Sequence, residues 1–557
     1  MPKQKTDVVR ILPAGMPTSR QENIYVNFFP EVVENSLSGT KRVYCVKRKG
    51  LSETYCDASA SATGEARGVF YWAALDRTYF IYGDTLWEYD GATLTNRKTL
   101  ATSTGTVGFI EAAYGIKKYM FFCDGTDGYL IDKDTPTVVT TIDNTIVEET
   151  VITNVGSGYA NGTYALGFTG GGGSGAAGTY TIAGGALSSI LITNKGSGYT
   201  SAPTLSFPSG GGSNAAALAF LSSFPVPHIP TPIFIDGYLL LAKGNTSEVY
   251  NSLLGDFGAF RSGQFVSVTQ FAGNITGLTK QQNYLICFKE DSVEYLYNAG
   301  NTTGSPLSRS TQAITAFGCN QRNTIQSLED DIIFVGKGSG GGFGVWKING
   351  FKEVKVSTEY VDTYLNDDLE LYGNTSLSAD YLSGAVVRLD GHSFYLVGER
   401  VNTKNKRHLV FDPQEKFWSF WDSAVLGASE FIGKYATTRF DKSYFQTPSK
   451  KILRFPQDAA AGSYNDNAAV YTASYSSPYV DMDNQNRKRW RSLDLIGDHY
   501  SYDNEVYIKY KDTGSLVSPG WKINLGMSKA RIWQIYHDTD KPLRFENIEL
   551  FYVQGVS

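Results

Sequence analysis

The sequence predicts an all-β fold: a propeller-like toroid of antiparallel hairpins, with a small inserted β module and a C-terminal β-sandwich. Three observations predict it. Asp-Gly or Asn-Gly steps recur at Asp90-Gly91, Asp124-Gly125, Asp127-Gly128, Asn161-Gly162, Asp236-Gly237, Asn349-Gly350 and Asp390-Gly391, each beside a short apolar and aromatic run. Such pairs tolerate the positive φ that two-residue hairpin turns demand. The flanking runs, such as Val69-Phe70-Tyr71-Trp72, Thr78-Tyr79-Phe80-Ile81-Tyr82 and Tyr284-Leu285-Ile286-Cys287-Phe288, are aromatic and β-branched, as strands require. The composition agrees, with 58 Gly, 36 Tyr and 31 Phe against 5 Met and 18 Pro.

The chain has 557 residues, enough for about two to four domains. Residues 1 to about 65 read as irregular. Strand pairs follow near 69–89, 107–131, 232–250, 275–297, 323–356, 379–422 and 431–455, each a blade or half a blade of a propeller. The division expected is an N-terminal segment with the first part of the propeller-like body (1–147), an inserted module (148–222), the remainder of the body (223–460) and the sandwich (461–557).

The insert is marked by an abrupt change of texture. After Glu149 its only charged residue is Lys195, and Gly, Ala, Ser and Thr dominate. Ile152-Thr153-Asn154-Val155-Gly156-Ser157-Gly158-Tyr159 returns as Ile192-Thr193-Asn194-Lys195-Gly196-Ser197-Gly198-Tyr199. Gly171-Gly172-Gly173-Ser174 returns as Gly210-Gly211-Gly212-Ser213. A flexible linker has no reason to repeat with a period, so a folded β module is expected. In the last hundred residues Trp490, Val506-Tyr507-Ile508, Trp521, Ile532-Trp533-Gln534-Ile535-Tyr536 and Phe545 to Leu550 supply the strands of the sandwich.

Net charge is −5 and pI about 5.7, which excludes a surface built as a whole to grip nucleic acid. Five scattered cysteines without a C-x-x-C pattern read as small buried hydrophobes of a reducing compartment. The opening Met1-Pro2-Lys3-Gln4-Lys5 is no signal peptide, and no apolar run has the length of a membrane span; synthesis in a cytoplasm is expected.

No catalytic, cofactor-binding or metal-binding residue is expected. Gly336 to Gly341 matches G-x-G-x-x-G, but a strand-like run, Phe343 to Ile348, stands where a dinucleotide site needs a helix. The five histidines are scattered singly, without ligand spacing. Glu329-Asp330-Asp331 and Asp367-Asp368-Leu369-Glu370 read as solvated turns before they read as glycosidase carboxylates. Trp418 and Trp421 fill the space between sheets or, if exposed, contact a partner or stack on sugars. Arg487, Lys488, Arg489 and Arg491 form the densest positive run, suited to a phosphate, a guarded strand edge or an acidic neighbouring subunit.

Several segments resemble the packaged-DNA stabilisation proteins of short-tailed bacteriophages, the tail hub or nozzle. They are Tyr25-Val26-Asn27-Phe28-Phe29-Pro30-Glu31, Ala66-Arg67-Gly68-Val69 with Tyr79 to Trp87, Gly277-Leu278 with Leu285 to Leu296, and Phe411-Asp412-Pro413 to Trp418. Lys49-Gly50-Leu51 stands where that family tends to have Pro-Gly-Leu. The resemblance implies a virion tail protein, assembled in the host bacterial cytoplasm and without enzymatic activity. It implies a ring of six on the head-to-tail adaptor, continuing the DNA channel, retaining the genome until ejection and docking tailspikes or fibres. Duplex DNA would pass through the lumen without sequence-specific binding, and a basic lumen would hold it back. The inner wall is therefore expected to be neutral or acidic, with Asp367, Asp368 and Glu370 as candidates. The alternatives are a glycan- or receptor-binding tail-fibre propeller and a polysaccharide-degrading enzyme.

Overall fold

The computed structural model describes residues 4–7, 23–34, 41–338, 341–371, 378–400, 406–423, 429–457, 463–477, 488–497, 506–510, 516–517, 527–528 and 533–554. The chain divides into two compact units, residues 97–315 and residues 1–96 with 316–557. The fold is all-β and propeller-like. Among the described residues, seven sheets contain a four-stranded antiparallel meander of the kind that builds a propeller blade.

In the unit of residues 97–315 lie the second meander (Gly108–Tyr114, Lys117–Cys123, Gly128–Asp132, Val139–Thr141), the third (Ile233–Ile235, Tyr238–Ala242, Glu248–Asn251, Phe265–Ser267) and the fourth (Ile275–Gln281, Tyr284–Lys289, Val293–Asn298, Leu307–Thr315). Strand Tyr238–Ala242 shows why its apolar run is continuous. Leu239 and Leu241 pack with Phe121 and Cys123 of the second meander, while Leu240 and Ala242 pack with Leu285 and Leu296 of the fourth. A strand covered on both faces has no polar side to alternate. The turn Asp236-Gly237 holds φ of 48° and 86°, both left-handed as a type I′ hairpin needs.

The inserted module belongs to the same unit. Val147–Ser157 pairs with Ser213–Leu221, and Ala186–Ser197, Ser174–Ala183, Gly162–Thr169 and Thr204–Ser206 form a second sheet in that order. Each repeat lends a strand to the other. Asn154 opposes Ala216 just as Asn194 opposes Ala177, so the I-T-N strand of one copy lies on the G-S-x-A-A strand of its twin. The tyrosines exchange too. A Cβ on Gly212 would stand 2.2 Å from the Tyr159 ring, and one on Gly173 2.6 Å from the Tyr199 ring. The glycines are there because aromatic rings lie flat on their backbone.

The other unit holds the first meander (Ala66–Trp72, Arg77–Tyr82, Thr85–Tyr89, Leu94–Thr99) and the fifth (Gln326–Leu328, Asp331–Lys337, Phe343–Asn349, Lys352–Lys355). The sixth (Leu382–Leu389, His392–Glu399, His408–Asp412, Phe417–Trp421) and the seventh (Tyr435–Arg439, Lys442–Gln446, Lys451–Arg454) follow. The seventh takes its fourth strand, Glu53–Asp57, from ahead of the first meander. Cys56, Tyr444 and Ile452 then share one core with Val69, Phe80 and Tyr82.

The N-terminal stretch is not irregular, as its sequence suggests. Ile24–Val26, Phe28–Glu34 and Lys41–Lys47 are strands whose partners come from the far end of the chain. Ile24–Val26 lies between Phe417–Trp421 and Ala473–Ser476, while Lys41–Lys47 joins Phe28–Glu34 to Arg544–Gln554. Tyr25, Phe28, Cys45, Tyr475, Ile535, Phe545 and Ile548 form the core between the two sheets. The sandwich thus includes both ends of the described chain.

Candidate functional site

The expected site residues do not converge. Thr358 caps a short helix, Glu359–Thr363, which runs into a π-helical turn, Tyr364–Asp368. Leu365, Leu369 and Leu371 are buried beneath this turn, and Asp367, Asp368 and Glu370 stand exposed above it. Asp368 accepts from Lys406 Nζ at 2.9 Å. The apolar residues thus present the carboxylates outward, on a segment anchored to the core.

Trp421 is a core residue. It is fully buried among Phe394, Phe431 and Phe455 and offers no face to a partner or a sugar. Trp418 is half-buried, its ring tilted against Phe411 at 4.8 Å between centroids, and its Nε1 donates to the Val356 carbonyl at 2.9 Å. Alternation along a strand covered on both faces explains why neither ring is free. Of the basic run, Arg487 lies outside the described residues; Lys488, Arg489 and Arg491 fall on strand Lys488–Gly497, where Arg489 is exposed.

The glycine-rich run after Asp331–Lys337 leads into strand Phe343–Asn349, paired antiparallel with it, so no helix N-terminus awaits a pyrophosphate. Asp331 engages Lys347 Nζ at 2.7 Å, tying the acidic turn to its own hairpin. Among the described residues no three His, Cys, Asp or Glu side chains stand close enough together to hold a metal ion. His392 Nδ1 is 2.8 Å from Asp412 Oδ2, a bond that raises its pKa. Burial lowers that of His408. His228, lowered by burial to about 4, is neutral; its Nε2 accepts from Gly125 N at 3.2 Å and Nδ1 faces the Pro225 carbonyl at 3.0 Å.

Sequence reasoning missed the most concentrated polar assembly. Arg48, fully buried, sits on the Tyr471 ring at 4.0 Å. Its Nη1 and Nη2 donate to Asp466 Oδ1 and Oδ2 at 3.0 and 2.6 Å. Nε donates to Asn27 Oδ1 at 2.8 Å, Nη2 to the Asp422 carbonyl at 2.7 Å and Nη1 to the Lys49 carbonyl at 3.1 Å. All five guanidinium hydrogens are thereby used. Lys47 beside it donates to the Thr539 carbonyl at 2.6 Å, and burial lowers its pKa to about 7. Read locally, Lys47-Arg48-Lys49 looks like a surface charge run, and nothing nearby betrays carboxylates 418 residues away.

A second buried pair, Lys289 and Glu294 at 2.9 Å, fixes a loop. Lys289 Nζ donates to the Val268 and Phe271 carbonyls, and the Glu294 carboxylate accepts from the backbone N–H of Gln270 and Phe271. These assemblies hold backbone in place; none sets a nucleophile beside a base.

A family model described as phage stabilisation, bacteriophage P22 Gp10, β-propeller, matches residues 203–442. Over this stretch the chain is similar to that family. The match runs from the end of the insert through the third to sixth meanders and into the seventh. It places the chain among structural proteins of the phage tail. No curated protein matches the chain. Among solved structures it is similar to the N-terminal domain of Nup159, at 7% identity over 77% of this chain and 98% of that one, with a TM-score of 0.36. It is also similar to BamB from Moraxella catarrhalis, at 13% identity over 70% and 95%, with a TM-score of 0.34. A third is YCF48 from Cyanidioschyzon merolae, at 10% identity over 72% and 98%, with a TM-score of 0.31.

Proposed function

We propose that the chain is the ring-forming nozzle subunit of a short phage tail, continuing the DNA channel below the head-to-tail adaptor, retaining the packaged genome and docking tailspikes or fibres. One observation carries the reading. The residues matched by the stabilisation family are the hairpin scaffold itself, and the buried Lys289–Glu294 pair inside that scaffold fixes a loop instead of building a reaction centre. A cyclic ring uses head-to-tail contacts, and a template fixes the rotation at which they close. The purified chain should therefore be monomeric and become a ring of six when adaptor rings are added, seen by mass photometry and negative-stain microscopy. A stable dimer that the adaptor leaves unchanged would refute the reading.

In this reading the exposed carboxylates of Asp367, Asp368 and Glu370 line the lumen, where negative charge keeps duplex DNA from adhering. Reversing all three to lysine should slow genome release from reconstituted particles. Added salt should relieve the slowing, because cations compete for the same phosphates. Release at the wild-type rate in low and high salt would remove the turn from the lumen.

A further inference from the structure

We propose a neutral-sugar subsite on residues 97–315, at the hairpin tips of the third and fourth meanders. A cleft of about 400 Å³ opens there, lined by Asp236, Gln282, Asn283, Tyr284, Tyr297 and Asn298. That volume falls within the roughly 300–1,000 Å³ of small-molecule sites. Tyr284 and Tyr297 oppose one another across two paired strands, with ring centroids 6.5 Å apart and planes at 64°. The two rings meet edge to face, and Tyr297 is 40% exposed.

The polar rim is placed by the fold. Asp236 occupies a left-handed position in its type I′ turn, and Asn298 Nδ2 donates to its Oδ2 at 3.0 Å. Asn298 Oδ1 in turn accepts from Gly300 N at 3.0 Å, which fixes the amide. One carboxylate oxygen and one amide hydrogen thus remain for a ligand. Gln282 adopts φ of 52°, a conformation that Gly or Asn would hold at less cost, and this strained residue forms the lip of the cleft.

The ligand class follows from this chemistry. A pyranose offers a C–H face that packs on an aromatic ring and adjacent hydroxyls that bond a carboxylate and an amide together. Among the described residues no lysine or arginine lines the cleft, and Asp236 would repel phosphate, uronate or sialate. Three carboxamides and a carboxylate around two rings suit neither a purely apolar ligand nor an anion.

The test uses the full chain and saturation-transfer NMR with methyl glycosides of glucose, galactose, N-acetylglucosamine and rhamnose, with methyl glucuronide as the anionic control. Binding of at least one neutral glycoside, and not of the glucuronide, is expected. Tyr297→Ala and Asp236→Asn should each weaken it on the order of tenfold. Asparagine tolerates the left-handed turn, so an unchanged melting temperature in D236N separates loss of a contact from loss of folding. Host surface polysaccharide distinguishes the source: tighter binding than the monosaccharide identifies a polymer spanning the cleft, and equal binding per ring identifies a free sugar. No transfer to any neutral glycoside or to the polysaccharide overturns the proposal, as does binding that both substitutions leave intact. Ring formation on the adaptor is read separately, so either result leaves the assembly test standing on its own.

Discussion

Removing the Asp466 carboxylate should be among the most damaging single changes in the unit that holds the sandwich. Asp466→Ala leaves the Arg48 guanidinium charged and fully buried, with two of its five hydrogens unbonded. It also orphans Leu51 N and the Ser423 hydroxyl, which donate to the same carboxylate at 2.8 and 2.6 Å. Breaking a buried pair from one side costs about 3–5 kcal/mol, and each further unsatisfied donor about 1–3 kcal/mol. The loss should therefore lie toward the upper end of that first range. Replacing both partners, Arg48→Met with Asp466→Leu, removes the stranded charge and should cost less than Asp466→Ala alone, which is the diagnostic sign of a buried pair. Urea denaturation of the full chain followed by tryptophan fluorescence suits the measurement, since Trp421 lies 5.5 Å from the guanidinium. Midpoints are comparable while the slope stays constant. A loss of less than about 1 kcal/mol for Asp466→Ala, the range of exposed pairs, would show that water reaches the charge and that the Arg48–Asp466 pair does not hold these segments together.

Three further outcomes are expected. Gly173→Ala puts a Cβ within 2.5 Å of Tyr199 N and should destabilise the insert by about 1–3 kcal/mol; a melting temperature that this substitution leaves unchanged would refute the exchanged-tyrosine packing. Because His228 is held neutral with its pKa lowered to about 4, the unfolded chain binds one more proton between about pH 4 and 6.5. Stability should rise with pH across that window by up to about 1.4 kcal/mol per unit, and His228→Gln should flatten this part of the slope in denaturation midpoints measured at several pH values. Deleting residues 150–221 with a short Gly-Ser join should leave the remainder folded by circular dichroism and proteolysis, because Val147 and Leu221 are strand partners and Asn144 brackets Phe224 with two hydrogen bonds of 2.8 and 2.9 Å; aggregation of the whole chain would make the insert part of the core.

What was legible in the sequence was local. Asp390-Gly391 sits at φ of 49° and 88° between Leu382–Leu389 and His392–Glu399, and a two-residue turn between aromatic strands announces its own hairpin. The repeat around Tyr159 and Tyr199 announced a module, though not that each tyrosine rests on the glycines of its twin. Distant pairings were silent. Glu53–Asp57 completes the seventh meander and Phe28–Glu34 joins the sandwich, and neither has a turn or a period leading to its partner. Burial was equally silent for charged residues. Lys289 and Glu294 read as ordinary surface charges around a hairpin, and only a folded chain shows them closed off from water. The sugar cleft was invisible for a related reason, since Asp236 and Asn298, which meet at its rim, lie 62 residues apart in the sequence.

The silent residues share one task. Each resembling segment carries a buried polar anchor with a task in the backbone. Asn27 accepts from Arg48 and donates to Asp422 at 2.8 Å. Arg67, fully buried, donates to the Gly83 carbonyl at 2.7 Å, joining two parts of one motif across a hairpin. Lys289 and Glu294 hold the loop around Gln270 and Phe271, and Asp412 takes His392 Nδ1 while capping its own turn through Gln414 N at 3.0 Å. Apolar positions in such sheets exchange among Val, Ile, Leu and Phe at modest cost. A buried hydrogen-bonded charge does not, because losing one partner exposes the full desolvation penalty of the other. In this scaffold such buried polar residues fix geometry. Such a motif identifies the architecture, and the chemistry must be sought elsewhere, on exposed clefts such as the one between Tyr284 and Tyr297.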